Sequence, residues 1–131
     1  MNMMFPCERP GAASIEEGMP SGRSMEASEA WGERWRLTAS PIAKRYMNVA
    51  VTKRSLVCLA ADRTTMAGLF DLIETVAPYV AALKTHVDLV DDWSPEAWGR
   101  FCKAAHEADL LIFEDRQFAD IGKICRAQMS G

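Results

Sequence analysis

A chain of 131 residues, 49% hydrophobic and 25% charged, has the make-up of one soluble globular domain with a modest core. Its 15 Lys and Arg against 18 Asp and Glu give a formal charge of −3, too balanced for a nucleic-acid or membrane surface. Small-molecule chemistry and protein contacts stay open.

The apolar runs at 56–61 and 80–83 fall far short of the roughly 18 residues of a membrane span, and the N-terminus lacks the charged-then-apolar order of a secretory signal. Cys7, Cys58, Cys102 and Cys125 are scattered, with no CxxC pair and no Cys/His cluster. That spacing argues against a disulfide framework or a metal site and for reduced thiols in a cytoplasmic protein.

Residues 1–29 carry Met, Gly, Ser, Pro and Glu without a sustained period and read as a disordered leader, so the folded part is expected over 30–131. Ser40 before Pro41 marks a helix start, and Ile42, Tyr46 and Val49 share one face of a helix reaching about Lys53. Ser55 to Ala61 is a continuous apolar run, expected as a strand covered on both faces and ending at Asp62. Thr64 or Thr65 caps the next helix, whose Met66, Leu69, Phe70, Ile73, Val76 and Ala77 follow a 3.6 period until Pro78 stops it.

Tyr79 to Leu83 is the second expected strand, ending in Lys84, Thr85 and His86. Ser94-Pro95-Glu96 starts a third helix, with Trp98, Phe101, Cys102 and Ala105 on one face to about Ala108. Leu110 to Phe113 is the third expected strand, and it ends in Glu114 and Asp115. This alternation calls for an α/β fold of parallel strands with right-handed crossovers. In such sheets the polar residues at the C-terminal strand ends gather on one edge, so Asp62, Lys84 and Asp115 are expected to converge. His86 is expected to make a structural hydrogen bond near a strand end, His106 to sit exposed on a helix, and the tryptophans at 31, 35, 93 and 98 to serve packing.

LVCLAAD at 56–62, LKTHVDLVDDWS at 83–94 and LIFEDRQFADIG at 111–122 resemble three successive segments of the orotidine 5'-phosphate decarboxylase family, and WGERWRLTASPIAKRY at 31–46 is similar to its helical lead-in. The resemblance implies the first three strands of a TIM (β/α)8 barrel. A whole barrel takes on the order of 250 residues, so the chain is expected to be an incomplete one. It also implies a homodimer, or a mixed dimer with a complete subunit, that uses neither metal nor organic cofactor and takes orotidine 5'-phosphate as substrate.

The same resemblance assigns roles. Asp62 matches the aspartate that accepts from the substrate ribose, and Lys84 the first lysine of a catalytic Lys-Asp-Lys-Asp network that also contacts the ribose. Asp115 matches the aspartate beside the substrate carboxylate, and Asp120 the one that reaches into the partner subunit's site. Between them the family carries the lysine that protonates C6 as carbon dioxide leaves; this chain has Gln117 there.

Loss of carbon dioxide leaves negative charge on a ring carbon, which calls for a nearby cation and a proton donor. Glutamine offers neutral amide donors and no titratable proton. With Lys84, Asp115, Gln117 and Asp120 the group carries a net −1, against zero with a second lysine. Beyond Gly122, Lys123 and Ile124 stand where the family has Asn-Thr, which removes a ribose-binding hydroxyl. A site built only from this chain is therefore expected to decarboxylate very poorly.

Overall fold

The computed structural model describes residues 22–115. Within them the order is α1 (Gly22–Trp31), α2 (Glu33–Leu37), α3 (Pro41–Lys53), β1 (Cys58–Ala60), α4 (Met66–Val76), β2 (Ala82–Thr85), a 3-10 turn (Val87–Leu89), α5 (Pro95–Glu107) and β3 (Leu111–Glu114). The strands form one parallel sheet in the order β1-β2-β3, with Ala60 opposite Lys84 and Thr85 opposite Glu114. The fold is thus α/β, the arrangement of consecutive β/α units in a (β/α)8 barrel. Among the described residues no helix is long and apolar enough to cross a membrane.

Side-chain caps start the three longer sequence-read helices where expected. Ser40 Oγ accepts from Ala43 N at 3.4 Å, Thr65 Oγ1 from Gly68 N at 3.1 Å and Ser94 Oγ from Ala97 N at 3.1 Å. Each satisfies an amide that has no partner within its own helix, an interaction of about 1 kcal/mol. Pro41 and Pro95 follow two of these caps in the first turn, where the missing N–H costs nothing. Gly32, at φ +55, turns the chain between α1 and α2 in the left-handed region that favours glycine.

The pleat sends alternate side chains to two different packing layers. Leu83 and Ile112 join Leu69, Ile73 and Phe101 beneath α4 and α5, with Phe70 and Trp98 against the Phe101 ring at 5.9 and 5.0 Å between centroids. Ala82 and Leu111 face the opposite way, onto Val49, Ile42 and Tyr46 of α3. Lys53, at the end of α3, donates to Val80 O at 3.2 Å and Ala108 O at 2.9 Å, tying the approaches to β2 and β3 together. Burial pushes its pKa down, and the nearby Asp109 carboxylate offsets part of that.

Several expectations need correction. The first strand is only Cys58–Ala60, and it is not covered on both faces: Leu56 is 65% exposed and Val57 52%. β1 pairs with β2 alone and so forms an edge of the described sheet, which leaves its flanks without a neighbouring layer. The second strand runs later than read, Ala82–Thr85 instead of 79–83, because the α4 C-terminus continues into a turn that leaves Tyr79 exposed.

Helix α1 begins at Gly22, inside the stretch read as disordered; its Ala27 is fully buried, and Trp31 Nε1 donates to Met47 O of α3 at 3.1 Å. The rest of that stretch, 1–21, lies outside the described residues. His106 is half-buried and contacts Arg45 instead of standing exposed on its helix. Cys58 is a free thiol as expected, but Cys102 is disulfide-bonded, contrary to the expectation of reduced thiols throughout.

Candidate active site

Lys84 and Asp115 end up together because of register. Lys84 lies opposite Phe113, and alternation along the chain returns Asp115 to the Phe113 side. This is also the side on which Ala82 and Leu111 meet α3 lower down, so the two charged groups stand above that apolar floor at the C-terminal end of the sheet. Their side chains meet with Lys84 Nζ 3.7 Å from Asp115 Oδ2. That is ion-pair range but too long for a good hydrogen bond.

The environment of the pair is asymmetric. The Asp115 side chain is 8% exposed and the Lys84 side chain 32%. Asp115 Oδ1 is buried and has no hydrogen-bond partner among the described residues. A buried carboxylate oxygen without a donor is costly, and such groups concentrate where a site is built for something other than stability.

Backbone geometry holds the pair in place. Asp115 N donates to Thr85 O at 3.0 Å, and Ala61 N to Lys84 O at 2.8 Å, so all three strand ends are laced. His86 is buried and makes the structural hydrogen bond expected of it: Nδ1 donates to Asp115 O at 2.6 Å, since a carbonyl only accepts. On the opposite, helix-facing side, Glu114 Oε2 accepts from Thr85 Oγ1 at 2.7 Å and Oε1 from Val87 N at 3.0 Å. Burial pushes the Glu114 carboxyl up from its ordinary pKa, while the Val87 and Thr85 donors offset part of the rise.

Asp62 lies two residues beyond Ala60, the partner of Lys84 in the register, and is exposed. Its loop is fastened to the one after β2: Asp92 Oδ1 accepts from Met66 N at 2.7 Å and Asp91 N donates to Thr64 O at 2.8 Å. Gln117 and Asp120 lie outside the described residues, as does Lys123. Among the described residues no group of three His, Cys, Asp or Glu could hold a metal ion.

Sequence reasoning assigned no role to Glu114, Thr85 or Asp92. An unbroken apolar run gives no phase from which to tell which of two successive carboxylates faces the helices. A capping residue 26 positions from the amide it caps leaves no local signature.

Parallel β/α units with a lysine and an aspartate paired at adjoining C-terminal strand ends define a barrel-type α/β protein whose ligand edge is charged. Residues 55–131 match the orotidine 5'-phosphate decarboxylase / HUMPS family, and the chain belongs to it. Similar relatives are the orotidine 5'-phosphate decarboxylases of Cyberlindnera jadinii, 41% identical over 93 residues, and Candida boidinii, 37% identical over 105 residues. The first alignment covers 70% of this chain and 35% of the relative, the second 79% and 39%. The enzyme of Maudiozyma exigua is 41% identical over 99 residues, 75% of this chain and 37% of its own length. The chain thus spans between a third and two fifths of the curated relatives it matches.

Proposed function

We propose that this chain carries the opening part of an orotidine 5'-phosphate decarboxylase site, in which Asp62 and Lys84 bind the ribose of orotidine 5'-phosphate and Lys84, Asp115 and Asp120 form the charge network. The observation that carries this reading is the Lys84–Asp115 pair at 3.7 Å, in which the second Asp115 oxygen is buried and has no hydrogen-bond partner among the described residues. A buried, poorly compensated carboxylate next to the substrate carboxylate would disfavour the ground state, and the loss of carbon dioxide relieves that repulsion. Lys84 supplies positive charge near the carbanion that forms.

The proton donor is the weak point. Gln117 stands where the family lysine protonates C6, so catalysis by this chain is very poor and the reaction in pyrimidine biosynthesis is its ancestry more than its performance. That substitution favours a second reading, a non-catalytic cytoplasmic relative that dimerises with a complete subunit and lends Asp120 to the partner's site. A third reading is that these β/α units have no function by themselves.

Purified 131-residue chain assayed for orotidine 5'-phosphate decarboxylation should show barely detectable turnover. Normal turnover would overturn the role given to Gln117. Co-expression with a complete decarboxylase followed by size-exclusion chromatography separates the second reading, which requires a mixed dimer, from the third.

A further inference from the structure

Glu114 is an anomaly in its layer. Two residues earlier on each strand and on the same side, Leu83 and Ile112 pack into the apolar core under α4 and α5, and there a carboxylate loses its hydration. Glu114 nevertheless stands 4% exposed, with both oxygens occupied. Its two donors, the Thr85 hydroxyl and the Val87 amide, come from β2 and the turn after it, 29 and 27 residues away in sequence. They flank His86, whose ring is bonded to the carbonyl of the residue that follows Glu114.

We propose that Glu114 is a positioning residue: by bridging Thr85 and Val87 behind the sheet, it fixes the ends of β2 and β3 so that Lys84 and Asp115 meet on the front. The geometry requires a side chain of this reach with two polar atoms, one of which accepts from Val87 N. A hydroxyl has only one oxygen to offer two separated donors, and an apolar residue of the same size would fill the space but leave the Val87 N–H without its acceptor and the Thr85 hydroxyl with only the Phe113 carbonyl at 3.5 Å. Strand pairing alone does not hold the last step, because the regular ladder ends at Thr85 and Glu114, while Asp115 and His86 lie just past it. Beyond that point the Glu114 bridge, the Thr85 O to Asp115 N bond and the His86 to Asp115 O bond keep the chains in register.

This role rests on the proposed function, since it takes Lys84 and Asp115 as site groups, but its test does not need activity. The full chain is labelled with an amine-acylating reagent, and modification of Lys84 is compared with that of Lys103, an exposed lysine on α5 whose surroundings do not include the site. Hydrogen exchange of the Val87 and Asp115 amides is measured alongside.

In Glu114→Leu the Lys84 to Lys103 labelling ratio should rise several-fold and protection at Val87 should fall, with helical content unchanged. Glu114→Gln, whose amide oxygen still accepts from Val87 N while its NH2 donates to Thr85 Oγ1, should restore the ratio. A folded Glu114→Leu protein with the original ratio, or a Glu114→Gln protein as perturbed as Glu114→Leu, overturns the proposal. Should Glu114→Leu fail to fold, Thr85→Val decides by the same readouts: an increased ratio supports the bridge and an unchanged one overturns it. Failure of the decarboxylase reading would show instead as a chain that keeps these labelling differences yet binds no orotidine 5'-phosphate.

Discussion

Replacing Lys84 by Met and Asp115 by Asn, separately and together, tells a stabilising ion pair from one held at a cost. At 3.7 Å two unit charges attract by about 1 kcal/mol in water and about 4.5 kcal/mol at an effective dielectric near 20. The lysine is one-third exposed, so its share is screened toward the lower figure, whereas the aspartate has lost nearly all its hydration. One of its oxygens receives no hydrogen bond among the described residues, so the attraction does not offset that loss. Lys84→Met should therefore destabilise by about 1–2 kcal/mol, because it strands the carboxylate completely. Asp115→Asn should be within about 0.5 kcal/mol of neutral or stabilising, and the double variant should resemble it. Urea unfolding followed by far-ultraviolet circular dichroism measures all four proteins, with an unchanged m value as the check that the same surface unfolds. Asp115→Asn costing as much as Lys84→Met would make the pair an ordinary structural bridge and refute the reasoning.

Glu114 gives a pH signature. Its carboxyl pKa in the folded chain lies above the ordinary 4.5, so the stability it contributes is fully present below 4.5 and is lost as the pH rises through the folded value. The stability of the original chain relative to Glu114→Gln should fall as the pH rises above the ordinary 4.5 in urea titrations, and a pH-independent difference would show that burial does not hold the proton. Phe101, fully buried between Phe70 and Trp98, anchors the core behind the sheet. Phe101→Ala should cost about 3–5 kcal/mol by thermal or urea unfolding, and a loss under about 1 kcal/mol would mean that the α5 layer does not support β2 and β3.

The helices were legible because their signals are local. Ser40, Thr65 and Ser94 each announce a start within four residues of the amide they cap, and the periodic apolar residues after them choose the buried face. Parallel pairing was legible from the alternation of short apolar runs with helices. The strand limits were less so, since a run such as 79–83 carries no mark of where the preceding helix stops unwinding, and Lys84 and Thr85 belong to a strand despite their polarity. The burial of β1 is not legible from sequence, because an apolar run is covered on both faces only where neighbouring layers lie on both, and among the described residues β1 is an edge strand. For the site, the positions of Asp62, Lys84 and Asp115 at strand ends followed from sequence; the lacing around them did not, because every bond in it joins residues distant in the chain.

The two successive carboxylates at the end of β3 do different work for a geometric reason. Pleat alternation gives Glu114 to the helix side, where two donors occupy both its oxygens, and Asp115 to the other side, where among the described residues its side chain meets a long ion pair with Lys84. One has both oxygens bonded; the other is buried with one oxygen that has no donor among the described residues. A site of this type needs the second carboxylate to be under-compensated before reaction, and it needs rigidity behind it so that the strain is not relieved by movement. What the arrangement does not provide is a second cation: among the residues expected to form the network, Lys84 is the only lysine, and it already faces Asp115. In the proposed reading the repulsive half of the mechanism would rest on Asp115 and the protonating half on position 117, where glutamine has no proton to give.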